Sequence, residues 1–340
     1  RWIMTLTPDE TFEITASLAR MGLIEDGETP VLTPLTGGIS SLIVRADTAR
    51  GPLCVKRALP QLKVAVEWKV PVGRNSAEVG WMRIAEGAAP GSVPAVLGED
   101  GVGMAFAMAW LDPADHPVWK AQLLDGVADA ETARAVAGML SCVHNACAHD
   151  AEIAMKFAND AVFHAIRLDA YFGATAQFHP DCADILGALI KRTASTKLTL
   201  VHGDVSPKNI LVGPDRPLIL DAECAWYGDP AFDLAFCLTH LLLKCVWRPQ
   251  TTPGYLACFD AFATASLGGA GWEPVDDLEA RTCALVAGML LARIDGKSPV
   301  EYITDERDKD RVRRFSRGFL TQPAGRLAAM RAAWLGEWMP

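Results

Sequence analysis

The sequence has no run of lysine and arginine long enough to form a basic face, and a formal net charge of −9 over 340 residues gives no sign of a nucleic-acid-binding surface. Mild acidity mostly serves solubility and, as far as it bears on partners, suits small cationic or neutral ones. The nine cysteines form no Cys-x-x-Cys pair and lie mostly inside apolar segments, an odd, scattered set that reads as reduced core thiols of a cytoplasmic protein. None of the seven histidines falls in a His-Glu-x-x-His arrangement, so a zinc site is not expected. The most apolar run, Ala231 to Trp247, is broken by Asp233, His240 and Lys244 and is too short to cross a bilayer. It reads as a buried helix, and no membrane partner is expected. The opening RWIMTLTPDE holds no apolar core followed by a small-residue cleavage site, so no secretory signal is visible. There is no internal repeat, no low-complexity tract and no Gly-Lys-Ser/Thr of a Walker phosphate loop.

What is present is ample material for a core. Half of the residues are hydrophobic and 21% charged, and the length suits two lobes. Thr7-Pro8-Asp9-Glu10 ahead of Ile14, Leu18 and Met21 predicts a capped amphipathic helix. Val31 to Leu35, Leu42 to Ala46 and Leu53 to Ala58 are short strand signals separated by turn residues, which predicts an antiparallel meander. A helix over Ala77 to Glu86 and a strand over Ala105 to Leu111 follow, and Asp112-Pro113-Ala114-Asp115 breaks the pattern as a hinge would. Beyond it the spacing becomes helical, as in Glu131 to Ala148, with a single hairpin of Ile210-Leu211-Val212 and Leu218-Ile219-Leu220. The division expected is an N-terminal lobe over 1–111 and a mainly helical lobe over 112–340.

The hairpin organises the polar residues around it. An antiparallel pair returns the chain to where it started, so Asn209 before the first strand and Asp221 after the second belong at the same end. Asp204 precedes Asn209 by five residues in the same loop, and Glu223 lies just past Asp221. Singly, each is well explained as a loop or turn cap. Together they offer the carboxylate and amide oxygens that a hard cation such as Mg²⁺ takes, usually beside substrate phosphates.

The spacing His202-x-Asp204-x-x-x-x-Asn209 is that of a protein-kinase catalytic loop. The wording HGDVSPKNIL, followed by LILDAECAWYGDPAFDLA, resembles the aminoglycoside phosphotransferase and choline kinase family of small-molecule kinases, which includes methylthioribose kinase. The resemblance implies an α+β, bilobal protein-kinase-like fold that binds ATP and Mg²⁺ between an antiparallel-sheet lobe and a larger helical lobe. It implies Asp204 as catalytic base, Asn209 and Asp221 as Mg²⁺ ligands, and Glu223 as a further metal-side residue. Lys56, on the third strand, would hold the ATP phosphates with Glu78 as its partner, while the neighbouring Arg57 faces the other side. Gly37, Gly38, Ser40 and Ser41 stand where the kinase glycine loop would be, without a full Gly-x-Gly-x-x-Gly, and Met108 and Trp110 stand in the purine-facing hinge. Asp233 would cap its own helix and brace the catalytic loop, and His202 would orient backbone rather than move protons.

The implied reaction is Mg²⁺-dependent transfer of the γ-phosphoryl group to a hydroxyl of a small molecule, whether aminoglycoside, choline-like or sugar-like. Two rivals stand beside it. A protein Ser/Thr kinase lacks room here, because Asp221 is followed so soon by Gly228-Asp229-Pro230, with no Ala-Pro-Glu beyond. A pseudokinase that binds nucleotide or a partner without chemistry sits poorly with an intact Lys56, Asp204, Asn209 and Asp221. Asp169, Glu223, Trp226, Arg293 and Asp295 are the acceptor-side candidates, and the sequence does not choose among acceptors, between ATP and GTP, or among oligomeric states.

Overall fold

The computed structural model describes residues 5–35, 41–59 and 74–338. These residues form two compact units, one ending at Pro113 and the other beginning at Ala114. Gly37, Gly38 and Ser40 lie outside the described residues.

In the first unit, α1 (Pro8–Arg20) starts with the expected capping box. The Thr7 hydroxyl accepts the Glu10 N–H at 3.2 Å, and the Glu10 carboxylate accepts the Thr7 N–H at 2.8 Å. The predicted meander is β1 (Val31–Pro34), β2 (Ser41–Thr48) and β3 (Gly51–Ala58), and it continues into β4 (Val96–Asp100) and β5 (Ala105–Ala109). All neighbours are antiparallel, in the order β1-β2-β3-β5-β4. Strand β4 was not foreseen, because a five-residue edge strand carrying Gly98, Glu99 and Asp100 has little of the β-branched composition that marks strands. Ile14 and Leu18 of α1 pack on Val44, Leu53, Val55 and Ala107, so one face of the sheet is closed by this helix. The opposite face meets α2 (Arg74–Ala88). Alternation along β3 sends Lys56 to the α2 side and Arg57 to the α1 side, where its guanidinium lies 3.9 Å from Glu13.

The second unit is mainly helical. Its long helices include α3 (Ala130–Ala146), capped by Asp129, then α4 (Ala231–Trp247), α5 (Thr252–Gly269) and α6 (Val275–Asp295). Every residue of α4 from Ala231 to Val246 is buried, as an apolar run without a polar face requires. Among the described residues no helix is long and apolar enough to cross a membrane. All nine cysteines are free thiols, and only Cys142 is exposed.

Two short ladders interrupt the helices. The expected hairpin pairs β7 (Ile210–Val212) with β8 (Pro217–Ile219), and a second, unexpected ladder pairs β6 (Thr199–Val201) with β9 (Trp226–Gly228). The chain therefore leaves β6, crosses a loop into β7, returns along β8 and closes back onto β6 at Trp226. Residues 202–209 and 220–225 are each pinned at both ends. Trp226 secures the closure: its ring stacks 4.1 Å from Phe163, its indole N–H donates to Asp160 at 3.0 Å, and Lys197 sits 4.0 Å over it. Its acceptor-side candidacy ends there, since it is 1% exposed. Only glycine fits at 228, where a Cβ would lie 1.9 Å from the Trp226 ring.

Replacing Trp226 with alanine should remove the stacking and the closure, destabilising the second unit by ~3–5 kcal/mol, as for other large-to-small aromatic changes in cores. Urea unfolding followed by circular dichroism checks this; an unchanged midpoint would mean that the β6/β9 closure holds without the indole.

Candidate active site

Asp233, in the first turn of α4, is fully buried and uses both carboxylate oxygens. Oδ2 accepts the His202 N–H at 2.8 Å and lies 3.1 Å from His144 Nε2, while Oδ1 accepts the Gly203 N–H at 2.8 Å. The expectation that it caps its own helix is corrected: Asp229 Oδ1 accepts the Ala231 N–H at 3.0 Å, and Asp233 turns to the loop and to His144. Gly203 sits at φ +82°, and a Cβ there would meet Cys224 and Phe163 at 3.1 Å, so the bend after His202 needs glycine.

His202 carries the ordering one step further. Burial pushes its pKa down, against the pull of Asp233, Asp204 and Asp221, and the ring is neutral. Nδ1 accepts the Asp204 N–H at 3.1 Å, which leaves the proton on Nε2 to be donated to the Leu220 carbonyl at 3.1 Å. One neutral imidazole thus ties the loop to the segment after β8.

Asp204 is 6% exposed. Its Oδ2 lies 3.1 Å from Arg167 Nη2 and 3.2 Å from Lys208 Nζ, and the Ser206 hydroxyl is 3.4 Å from Oδ1. Burial alone would raise its pKa, but Lys208 and then Arg167 outweigh burial and hold the carboxyl well below the usual range. It is ionised at any physiological pH. Arg167 projects from the π-helix His164–Gly173 and also donates to the Gly203 carbonyl. Sequence reasoning missed it because nothing local marks a residue 37 positions before Asp204. Lys208 sat in plain view four residues after Asp204 and passed as part of the motif.

Asn209 donates its Nδ2 to the Asp204 carbonyl at 3.0 Å, and its own carbonyl accepts the Leu220 N–H at 2.8 Å. The hairpin argument holds: Asn209 and Asp221 emerge at one end of β7 and β8. Asp221 has φ +69°, a left-handed conformation tolerated by Asp that turns the chain sharply as it leaves β8. The Asn209 amide oxygen and the Asp221 carboxylate, with Glu223 two residues on, are hard oxygen donors that fit Mg²⁺. Among the described residues no three His, Cys, Asp or Glu side chains cluster closely enough to cage a metal by themselves. The donor set suits an ion that takes its other ligands from a phosphate.

In the first unit, Lys56 Nζ lies 2.9 and 2.7 Å from the two carboxylate oxygens of Glu78, both side chains being almost fully buried. Ser41 opens β2, and its buried hydroxyl has no hydrogen-bond partner among the described residues. Met108 lies within β5, opposite both Cys54 and Val96, while Trp110 follows the strand with Arg45 4.9 Å over its ring.

The profile of the phosphotransferase enzyme family matches residues 31–278. The chain belongs to this family. A methylthioribose kinase from Geobacillus thermodenitrificans is 26% identical over 266 residues, which take in 70% of this chain and 66% of that kinase, just under two thirds of its length. Solved structures similar to this chain include an aminoglycoside phosphotransferase from Alicyclobacillus acidocaldarius, with a TM-score of 0.52 and 16% identity over 98% of this chain and 96% of that one. A Plasmodium vivax ethanolamine kinase gives a TM-score of 0.54 with 10% identity over 97% and 87%. At these identities the likeness is one of fold, and the fold is the expected kinase-like one, with an antiparallel-sheet unit and a mostly helical remainder.

The buried histidines make the protein's stability depend on pH. Burial lowers the pKa of His202, and it lowers that of His240 well below 6.5, with Arg293 and Lys244 adding to the effect. The folded state refuses protons that the unfolded chain takes up below pH ~6.5. Stability is thus full above that pH and falls as pH drops toward the folded-state values, by at most about 1.4 kcal/mol per pH unit per histidine. Urea midpoints measured from pH 7.5 to 5 should decline, and His240→Gln should flatten the slope; an equally steep decline in that variant would take His240 out of the account.

Proposed function

We propose that this phosphotransferase is a small-molecule kinase transferring the γ-phosphoryl group of ATP to a hydroxyl, with Mg²⁺ held by Asn209 and Asp221 and Glu223 close by. The observation that carries the reading is the pinned loop, which sets a buried, ionised Asp204 beside Asn209 in a chain of the phosphotransferase family. When bound, the ion neutralises charge on the phosphates. The acceptor oxygen forms the new bond to phosphorus, the bond from phosphorus to the bridging oxygen of ADP breaks, and Asp204 takes the hydroxyl proton. In the first unit, Lys56 paired with Glu78 would meet the phosphates, and the Ser41 hydroxyl, without a partner among the described residues, would serve the same purpose. Met108 and Trp110 would border the purine. The methylthioribose kinase relative supports a sugar-like hydroxyl as acceptor. No observation favours a scaffold without chemistry.

Asp204→Asn keeps the size of the side chain and removes its charge. Turnover should fall by roughly 10²- to 10⁴-fold while Mg²⁺-ATP affinity changes little. Calorimetric titration and ADP release on the same purified variant test this; a collapse in nucleotide affinity would reassign Asp204 to the metal.

Lys56 needs a paired design, because its partner is buried. Lys56→Met alone strands the Glu78 carboxylate and should destabilise the protein by ~3–5 kcal/mol. Lys56→Met combined with Glu78→Leu removes both charges and should recover most of that stability without recovering turnover. Wild-type turnover in the double variant removes the pair from the mechanism.

A further inference from the structure

Arg293, in the last turn of α6, stands out among the cations of the second unit. The acid closest to it in sequence, Asp295, is held by Arg313 at 2.7 and 2.8 Å and by His179 at 2.8 Å. Arg281 has Asp229 and Glu273, and Arg317 has Asp181. Arg293 has no carboxylate within ion-pair distance among the described residues. Its Nη1 donates to the Ser298 carbonyl, to the Ser298 hydroxyl at 3.2 Å and to the Tyr171 hydroxyl at 3.3 Å, and its Nε has no partner among the described residues. A guanidinium left with uncommitted donors and uncompensated charge is poised for an anion.

Its place in the unit links it to Asp204 through an unbroken row of contacts. Arg167, 3.1 Å from Asp204, lies 5.7 Å over the Phe236 ring; Phe236 is 5.6 Å from Tyr171, and Arg293 lies 5.7 Å over the Tyr171 ring. Arg293 also lines a cavity of about 260 Å³ together with Thr304, Glu301 and Lys309. There Glu301 is engaged by Lys120, and Lys309 by Glu306 at 2.7 Å, so Arg293 is the cation with charge to spare. The space is more than enough for a carboxylate or phosphate group.

We propose that Arg293 receives an anionic group of the acceptor, so that the substrate class is a hydroxyl compound bearing a carboxylate or phosphate. The proposal rests on the small-molecule kinase reading and narrows it. Along this row Arg167 and Lys208 are matched by Asp204, whereas Arg293 has no carboxylate beside it among the described residues, so a choline-like cation reaching Arg293 would meet like charge there. Tying the loop at Ser298 explains one donor of Arg293, and the anion explains the rest.

The test uses matched compounds that differ only in charge: glycerol, D-glycerate and glycerol 3-phosphate, with choline and kanamycin as cations. Initial rates of ADP formation are measured for the wild type, Arg293→Ala and Arg293→Lys. For the wild type, kcat/KM for D-glycerate or glycerol 3-phosphate should exceed that for glycerol by about 10- to 100-fold, the scale of a charge-assisted hydrogen bond. Which of the two is favoured separates a carboxylate from a phosphate. The preference should vanish in Arg293→Ala and survive in part in Arg293→Lys, which keeps the charge without the fork. A wild type that prefers glycerol, choline or kanamycin, or an Arg293→Ala variant that keeps the preference, overturns the proposal. If no compound yields ADP, thermal melting decides between the two readings. A rise with D-glycerate but not glycerol, lost in Arg293→Ala, keeps the anion site while the kinase reading fails, and no rise in the wild type ends the anion site as well.

Discussion

The second unit turns on a single buried carboxylate. Asp233 sits inside the most apolar helix of the chain, where an unsatisfied charge would be expensive, and it is tolerable because three donors converge on it from two other segments. The dependence runs both ways. The backbone N–H groups of His202 and Gly203 have no sheet partners in their loop, and Asp233 supplies them. His202, once fixed, accepts the Asp204 N–H and reaches the Leu220 carbonyl, so the rigidity of α4 passes through one imidazole to both halves of the site.

The electrostatics at Asp204 constrain what it can contribute to the proposed reaction. Two cations hold its pKa far below neutrality, which guarantees the ionised form and makes it a weak proton acceptor. For acyl transfer that would be a poor arrangement. Phosphoryl transfer through a loose transition state asks little of a base before the bond to phosphorus is formed, and positioning dominates. The loop is built accordingly: it orients a carboxylate with fixed hydrogen bonds and does not tune it toward neutrality. An acceptor hydroxyl would be aligned by Asp204 and release its proton late.

Much of this was legible in the sequence, for physical reasons that differ by residue. Asn209 and Asp221 could be placed together because a hairpin admits only one geometry, and Lys56 could be separated from Arg57 because strand alternation has a period of two. Helix α4 announced itself by composition. The β6/β9 ladder did not, since three residues are too few to show a period. The cap of α4 was assigned to Asp233 rather than Asp229, because both carboxylates flank the helix start and only the loop's unmet N–H groups decide between them. Arg167 was invisible, because what brings it to Asp204 is tertiary packing.

The way Arg167 is delivered separates the two sides of the site. Asp233, His202 and Asn209 act from a buried α-helix and two ladders, elements whose geometry is hard to deform. Arg167 and Tyr171 instead project from the ten-residue π-helix His164–Gly173, a poorer hydrogen-bonding arrangement than an α-helix that persists only where side-chain contacts hold it. Those contacts are Ile166, Leu168 and Phe172 in the core and the Arg167 bond to the Gly203 carbonyl. A helix held by its side chains can change register when those side chains change, whereas the loop under Asp233 cannot move without losing buried hydrogen bonds. In the proposed reaction the carboxylate is thus anchored on rigid elements, while the deformable one carries an arginine to within 3.1 Å of it.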